Sequence, residues 1–127
     1  MSIENRESPR YYARWRIAIV FDETENRPTI HGYTHDVSLR GASIHTDHNV
    51  VSTTSVTVLL SPPLAYEGEQ QKIIEIRAQM AYSVYSGSNF CFRIGLNFIK
   101  FKNEGLQVLK GILDNQFPLS SIGAKPL

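Results

Sequence analysis

The sequence predicts an all-β domain, a closed antiparallel barrel or a sandwich, with six strands followed by one C-terminal α-helix. Apolar and polar residues alternate in six runs, which is the period of a strand that is buried on one face. Polar segments with Gly, Pro, Asn or Ser separate these runs. After Asn103 the apolar residues recur every three or four positions, which is typical of an amphipathic helix.

The first four strands are short. Residues 15–21 alternate cleanly, and residues 29–37 form the second strand after a polar loop. Residues 42–46 form the third strand. Residues 56–60 form the fourth, which ends before two consecutive prolines that cannot donate to a β-ladder.

The last two strands form the clearest hairpin, with residues 86–89 as its turn. Its two strands are each predicted to direct one row of apolar side chains into the core: Ile74, Ile76, Ala78, Met80, Tyr82 and Val84, then Phe90, Phe92, Ile94, Leu96 and Phe98. Burying one such large side chain contributes about 1.5–3 kcal/mol. This hairpin is therefore expected to be the largest contributor to the core.

The helix is predicted from an apolar stripe that ends before Pro118, with Asn103 as its N-cap: Leu106, Leu109, Leu113 and Phe117. Gly105 and Gly111 lower its intrinsic stability. We therefore expect the helix to depend on packing against the barrel.

The chain of 127 residues suits one domain, which we place at residues 10–117. Residues 1–9 are expected to be a flexible segment and residues 118–127 a mobile tail. A single cysteine, a polar N-terminus and the lack of an apolar run of membrane-spanning length favour a cytoplasmic protein without membrane insertion.

A binding turn is suggested by Asp36-x-Ser38-x-x-Gly41, where a strand pattern breaks and restarts. A carboxylate accepts hydrogen bonds, and a hydroxyl both donates and accepts them. Gly41 permits either a positive φ or a close approach of a ligand. Taken alone, the motif also fits an ordinary turn that is stabilised by its Asp or Ser side chain.

A basic segment, Arg10-x-x-x-Arg14, precedes the first strand. Guanidinium groups pair with phosphate in a bidentate manner, stack on flat rings, and read the O6 and N7 acceptors of guanine. Arg6-x-x-x-Arg10 has the same spacing. We prefer the later pair because Arg14 directly precedes the strand, whereas Arg6 lies in the terminal segment.

These two motifs, in this order around an alternating strand, resemble the PilZ domain family of bacterial cyclic di-GMP receptors over residues 8–117. The resemblance implies a six-stranded antiparallel β-barrel with one C-terminal α-helix, and a nucleotide held between the motifs. It implies that Arg10 and Arg14 bind phosphate and guanine, that Asp36 and Ser38 contact guanine, and that Gly41 shapes the turn.

Two neighbours of the second motif, His35 and Arg40, are possible additional contacts to the nucleotide. Many family members have an arginine directly before the first motif arginine, where this chain has Pro9. Whether one nucleotide or two bind stays open.

Catalysis and metal binding are not expected. The sequence has no Gly-x-Ser-x-Gly, phosphate-loop or dinucleotide-binding glycine motif. His31 and His35 would lie about 13 Å apart along a strand, which is too far to chelate one ion. We expect no enzyme activity, no cofactor and no metal.

The sequence therefore predicts a second-messenger receptor: an arginine segment that is mobile when free folds over cyclic di-GMP and changes the surface offered to a downstream protein. The alternative is a protein-interaction barrel of this fold, in a motility or secretion assembly, that binds no nucleotide. An oligonucleotide-binding barrel is disfavoured because the aromatic residues are predicted to face the core and no broad basic groove is evident.

Overall fold

The computed structural model describes residues 8–117. Its elements in chain order are β1 Tyr11–Tyr12, β2 Arg16–Val20, β3 Ile30–Val37, β4 Gly41–Thr46, β5 Val56–Ser61, β6 Ile74–Ser86, β7 Cys91–Phe101 and α1 Gly105–Gln116. A short 3-10 turn, Glu23–Glu25, lies between β2 and β3. The mobile tail predicted at residues 118–127, and residues 1–7 of the predicted flexible segment, lie outside the described residues.

Six strands close into a barrel in the order β3, β2, β5, β6, β7 and β4, and β4 returns to β3. Every neighbouring pair is antiparallel. The predicted six-stranded barrel is thus confirmed, and closure rather than a sandwich hides the long strand edges. The two-residue strand β1 is an addition that pairs with the end of β3.

The core consists of the inward side chains of the strands, closed at one end by α1. The following are fully buried: Ile19, Ile44, Leu60, Ile76 and Ile94. Leu109 and Leu113 of α1 belong to the same buried cluster. The helix therefore packs on the barrel, as expected for a helix whose intrinsic stability is lowered by two glycines.

The far end of the β6–β7 hairpin departs from prediction. Tyr82, Val84 and Phe90 were expected in the core, but they are 38%, 51% and 80% exposed. The pairing register shifts between Met80 and Tyr82, which turns the later residues of β6 to the other face. Phe90 has φ 54° in the hairpin turn, before β7 begins.

These exposed aromatic side chains remove one of the two arguments against an oligonucleotide-binding barrel. The other argument remains at this hairpin, because residues 78–92 contain no charged residue and so offer no attraction for a phosphate backbone.

The start of the helix also differs from prediction. Asn103 was predicted to be the N-cap, but Glu104 occupies that position and makes no side-chain capping bond. Asn103 has φ 56°, a left-handed conformation that asparagine tolerates better than most residues. It therefore serves to turn the chain sharply from β7 into α1.

Candidate functional site

The turn between β3 and β4 is held by Ser38. Its Oγ accepts hydrogen bonds from the backbone N–H groups of Arg40, at 3.1 Å, and Gly41, at 3.2 Å. Its hydroxyl donates to the carbonyl of Gly41 at 3.3 Å, and its backbone N–H donates to the same oxygen at 2.8 Å. Ser38 therefore directs its hydrogen bonds into the turn itself, as in an ordinary Ser-stabilised turn.

Gly41 is required by a close approach between strands. Its φ is not positive, so the first of the two predicted reasons does not apply. A Cβ at this position would lie 2.3 Å from the carbonyl oxygen of Leu96 on β7. The lack of a side chain at Gly41 thus lets β4 and β7 approach closely beside the turn.

Asp36 is a buried carboxylate between two arginines. Its Oδ1 accepts a hydrogen bond from Arg10 Nη1 at 3.2 Å. Its Oδ2 accepts from Ser43 Oγ at 2.9 Å and from Arg93 Nη2 at 3.4 Å. Asp36 is therefore the counter-ion of a small cationic cluster, and β7 supplies one of the cations.

The segment from Arg10 to Arg14 lies along β3, and we call it the arginine arm. Strand β1, within it, pairs with the last two residues of β3. Ala13 N–H then donates to the His35 carbonyl at 3.3 Å, and Trp15 N–H, just beyond the arm, donates to Thr34 Oγ1 at 2.8 Å. This ladder fixes the position of the arm relative to β3 and brings Arg10 to Asp36.

The two arginines of the first motif have different surroundings. Arg10 pairs with Asp36, whereas the guanidinium carbon of Arg14 lies 4.0 Å from the centroid of the Tyr33 ring. Stacking of this kind is worth about 0.5–1 kcal/mol at an exposed site. Arg14 therefore has a defined position on the outer face of the barrel, beside β3.

A surface cavity of about 450 Å³ joins the two motifs. Its lining residues are Ser8, Arg10, Ser38, Arg40, Gly41, Asn97 and Phe98. The volume lies in the range of about 300–1,000 Å³ that is typical of small-molecule sites. Two arginines and no carboxylate line this cavity, which favours an anionic ligand.

Not all of the predicted site residues line that cavity. Arg10, Ser38, Arg40 and Gly41 do, whereas Arg14, Asp36 and His35 do not. Asp36 nevertheless contacts the cavity residue Arg10. The structure thus brings the two motifs together through the Arg10–Asp36 pair, with Arg14 and His35 to one side.

Two histidines adjoin this cluster. The ring centroids of His35 and His45 are 4.9 Å apart. Burial lowers the pKa of His45 below its usual value of 6.5, and the nearby positive charges of His35, Arg93 and Arg14 lower it further, whereas Asp36 acts in the opposite direction. Protonation of His45 is therefore disfavoured in the folded protein.

The lowered pKa of His45 makes folding stability depend on pH, and His45→Gln is expected to reduce this dependence. As the pH falls through 6.5, the unfolded chain takes up a proton at His45 that the folded protein binds less readily. His45 therefore contributes a loss of folding free energy toward acid pH, and the free energy of unfolding of His45→Gln should be less sensitive to this change in pH than that of the wild type. Urea unfolding at about pH 7.5 and about pH 5.5 measures this slope.

The control for this measurement is Ala81→Gln, which introduces the same side chain at an exposed position of β6 without removing an ionisable group. It should retain the wild-type slope. If the free energy of unfolding of His45→Gln changed with pH as steeply as that of the wild type, the lowered pKa of His45 would be contradicted.

Metal-ligand clusters and membrane-spanning helices are both absent from residues 8–117. No group of three or more His, Cys, Asp or Glu side chains is placed to hold a metal ion. No helix in this part of the chain has the length and apolar character needed to cross a membrane.

The comparison with protein families decides the classification. The model of the PilZ domain matches residues 4–115, which is most of the chain. The chain belongs to the PilZ domain family. No curated protein matched the sequence.

Three solved structures share the PilZ fold of this chain. Bacillus subtilis inhibitor of motility (MotI/DgrA) aligns with a TM-score of 0.68 and 17% identity over 90% of this chain and 52% of its own. The PilZ domain with c-di-GMP of YcgR from Escherichia coli aligns with a TM-score of 0.58 and 12% identity, over 96% of this chain and 98% of its own. The PilZ domain of CeSA from a cellulose-synthesizing bacterium aligns with a TM-score of 0.51 and 20% identity, over 88% of this chain and 98% of its own. This PilZ domain thus spans about half the length of MotI/DgrA.

Sequence reasoning missed the contribution of β7. Arg93 binds Asp36, and Asn97 and Phe98 line the cavity. One signal was available, since Arg93 is the only charged residue between Arg77 and Lys100. A single charge within an otherwise uncharged stretch of the hairpin, residues 78–99, favours a specific partner or ligand.

Proposed function

We propose that this PilZ domain is a cyclic di-GMP receptor that acts as an adaptor for a downstream protein in the cytoplasm, without catalysis. The observation that supports it most directly is the contact between Arg10 of the first motif and Asp36 of the second, beside a cavity that both motifs line. Cyclic di-GMP carries two phosphates and two guanines, which match guanidinium donors and carboxylate or hydroxyl acceptors.

Binding would proceed by exchange at Arg10. The Arg10 side chain is 63% exposed and donates to Asp36, whose own side chain is 5% exposed. A phosphate oxygen accepts the same kind of hydrogen bond from a guanidinium as a carboxylate does. When a phosphate replaces Asp36 as the hydrogen-bond partner of Arg10, Oδ1 of Asp36 becomes able to accept a hydrogen bond from a guanine N–H.

Arg14 and Arg40 would complete the site. The guanidinium plane of Arg14 can leave Tyr33 and stack on guanine, because both are flat π-systems. Arg40 offers a second cation in the cavity. Ser38 and Gly41 would contribute mainly by holding the turn, and His35 would contact only a part of the nucleotide that extends beyond the cavity.

The adaptor function would follow from the arginine arm. Arg10 adjoins β1, so a change of its partner alters the surface around Tyr11 and the exposed Tyr12. We expect the arm to be mobile when free and folded over the nucleotide when bound. The structure gives the arm a position on β3, and its movement on binding stays a prediction.

Isothermal titration of the purified protein with cyclic di-GMP tests the proposal. We expect saturable binding at micromolar or lower concentrations, and the fitted stoichiometry distinguishes one nucleotide from two. Cyclic di-AMP, which has the same phosphates but adenine in place of guanine, is the matched control ligand and should bind more weakly. A wild-type protein that binds neither ligand would refute the receptor function.

Arg14→Ala is expected to weaken cyclic di-GMP binding by about 1–3 kcal/mol, because it removes a guanidinium that contacts guanine. Arg16→Ala is the control, since Arg16 is also an exposed arginine at the start of β2 but belongs to neither motif. Its affinity should equal that of the wild type. Equal affinities for Arg14→Ala and the wild type would remove Arg14 from the site.

One observation favours the second candidate function, a protein-interaction PilZ domain that binds no nucleotide. The groups of the second motif already have partners within the protein: Asp36 accepts from Arg10, Ser43 and Arg93, and Ser38 bonds within its turn. A site of this kind needs no ligand to satisfy its polar groups. The titration with cyclic di-GMP separates the two candidates.

A further inference from the structure

Arg93 lies on the outer face of the barrel, two strands away from Asp36. It is paired in register with His45 across β4 and β7, and Asp36 is paired with Ser43 across β3 and β4. Its Nη2 reaches Asp36 Oδ2 at 3.4 Å, the same oxygen that Ser43 Oγ contacts at 2.9 Å. Two barrel strands thus hold one oxygen of the carboxylate.

The two oxygens of Asp36 therefore have different kinds of partner. Oδ2 is held by Ser43 and Arg93, which belong to β4 and β7. Oδ1 is held by Arg10, whose side chain is the most exposed of the three partners. A ligand can replace Arg10 without disturbing the barrel, whereas the partners of Oδ2 are fixed by strand pairing.

Arg93 is also less exposed than Arg10, with 36% of its side chain accessible against 63%. Its Nε is buried and has no hydrogen-bond partner among the described residues. Its Nη2 lies on Asp36, so the guanidinium is partly enclosed between the barrel surface and this carboxylate. Its orientation is thus set by the barrel and by Asp36.

We infer that Arg93 is a positioning residue of the nucleotide site, which acts through Asp36. The inference rests on the proposed function. When a phosphate of cyclic di-GMP binds Arg10, Asp36 loses one of its two cations. Without Arg93 it would then be a buried carboxylate supported by the Ser43 hydroxyl alone. Arg93 then supplies the remaining positive charge and keeps Oδ1 directed toward the guanine N–H donors.

A double-mutant cycle tests this inference by titration with cyclic di-GMP. Arg93→Ala is expected to weaken binding about tenfold in the wild-type background, and Arg93→Lys, which keeps the charge, should recover most of the loss. Asp36→Asn keeps an acceptor oxygen but not the charge. In that background Arg93→Ala should change the affinity less than about threefold, because Arg93 no longer has a carboxylate to orient.

Thermal unfolding of each variant shows whether it is folded at the titration temperature, and Arg93→Gln takes the place of Arg93→Ala should the latter not fold. If the wild type binds and Arg93→Ala binds equally well, the inference is wrong and the receptor function stands. An equal loss in both backgrounds would show that Arg93 contacts the ligand directly, which also overturns the positioning role. If the wild type does not bind, the proposed function and the inference fail together.

Discussion

Gly41→Ala is expected to lower the free energy of unfolding by about 3 kcal/mol or more, the upper end of the cost of overpacking. The added Cβ would lie 2.3 Å from the carbonyl oxygen of Leu96, and the nearest atoms are all backbone atoms of β7. Because a backbone cannot move without its neighbours, β4 and β7 would have to separate. Urea unfolding, followed by far-UV circular dichroism, measures the change.

Two other glycines provide matched controls. At Gly95 the nearest atoms belong to the ring of Tyr82, at 2.2 Å, and this partly exposed side chain can rotate away, so Gly95→Ala should cost less than Gly41→Ala. At Gly111 in α1 there is open space, and Gly111→Ala should raise stability by about 0.4–1 kcal/mol. Gly41→Ala with wild-type stability would show that β4 and β7 do not approach this closely.

Leu109→Ala is expected to lower the free energy of unfolding by about 2–5 kcal/mol, the range for a large-to-small change at a buried leucine. Leu109 is 0% exposed and belongs to the same buried cluster as the barrel side chains. Removing its side chain would leave a cavity between α1 and the end of the barrel. The same urea titration provides the measurement.

Leu106→Ala is the control for this change, because Leu106 lies on the same helix but is 41% exposed. We expect it to cost less than about 1 kcal/mol, since less apolar surface returns to water. If the two substitutions had equal effects, the packing of α1 on the barrel would not be as described.

The strands could be predicted because the alternation of apolar residues is local information. Residues 15–21 and 29–37 were predicted, and Arg16–Val20 and Ile30–Val37 are observed. The faces of the hairpin could not be predicted beyond Met80, because the register shift after it depends on the pairing with β7. Nothing in the alternating pattern of β6 marks that shift.

The motifs of the site were visible in the sequence, but their partners were not. Asp36 and Arg93 are 57 residues apart, and only the closure of the barrel brings them together. The spacing of Ser38 and Gly41 fits a ligand-binding turn and a self-stabilised turn equally well. Only the hydrogen bonds of Ser38 show that its hydroxyl is used within the turn.

The single tryptophan of the chain, Trp15, lies where the arginine arm joins β2. Its side chain is buried in the core, and its backbone N–H is bonded to Thr34 on β3. Because Trp15 directly follows the arm, detachment of the arm from β3 is expected to change the surroundings of this indole. We therefore expect the tryptophan fluorescence of the unlabelled protein to change when the arm moves, and a stopped-flow instrument can follow this change in real time.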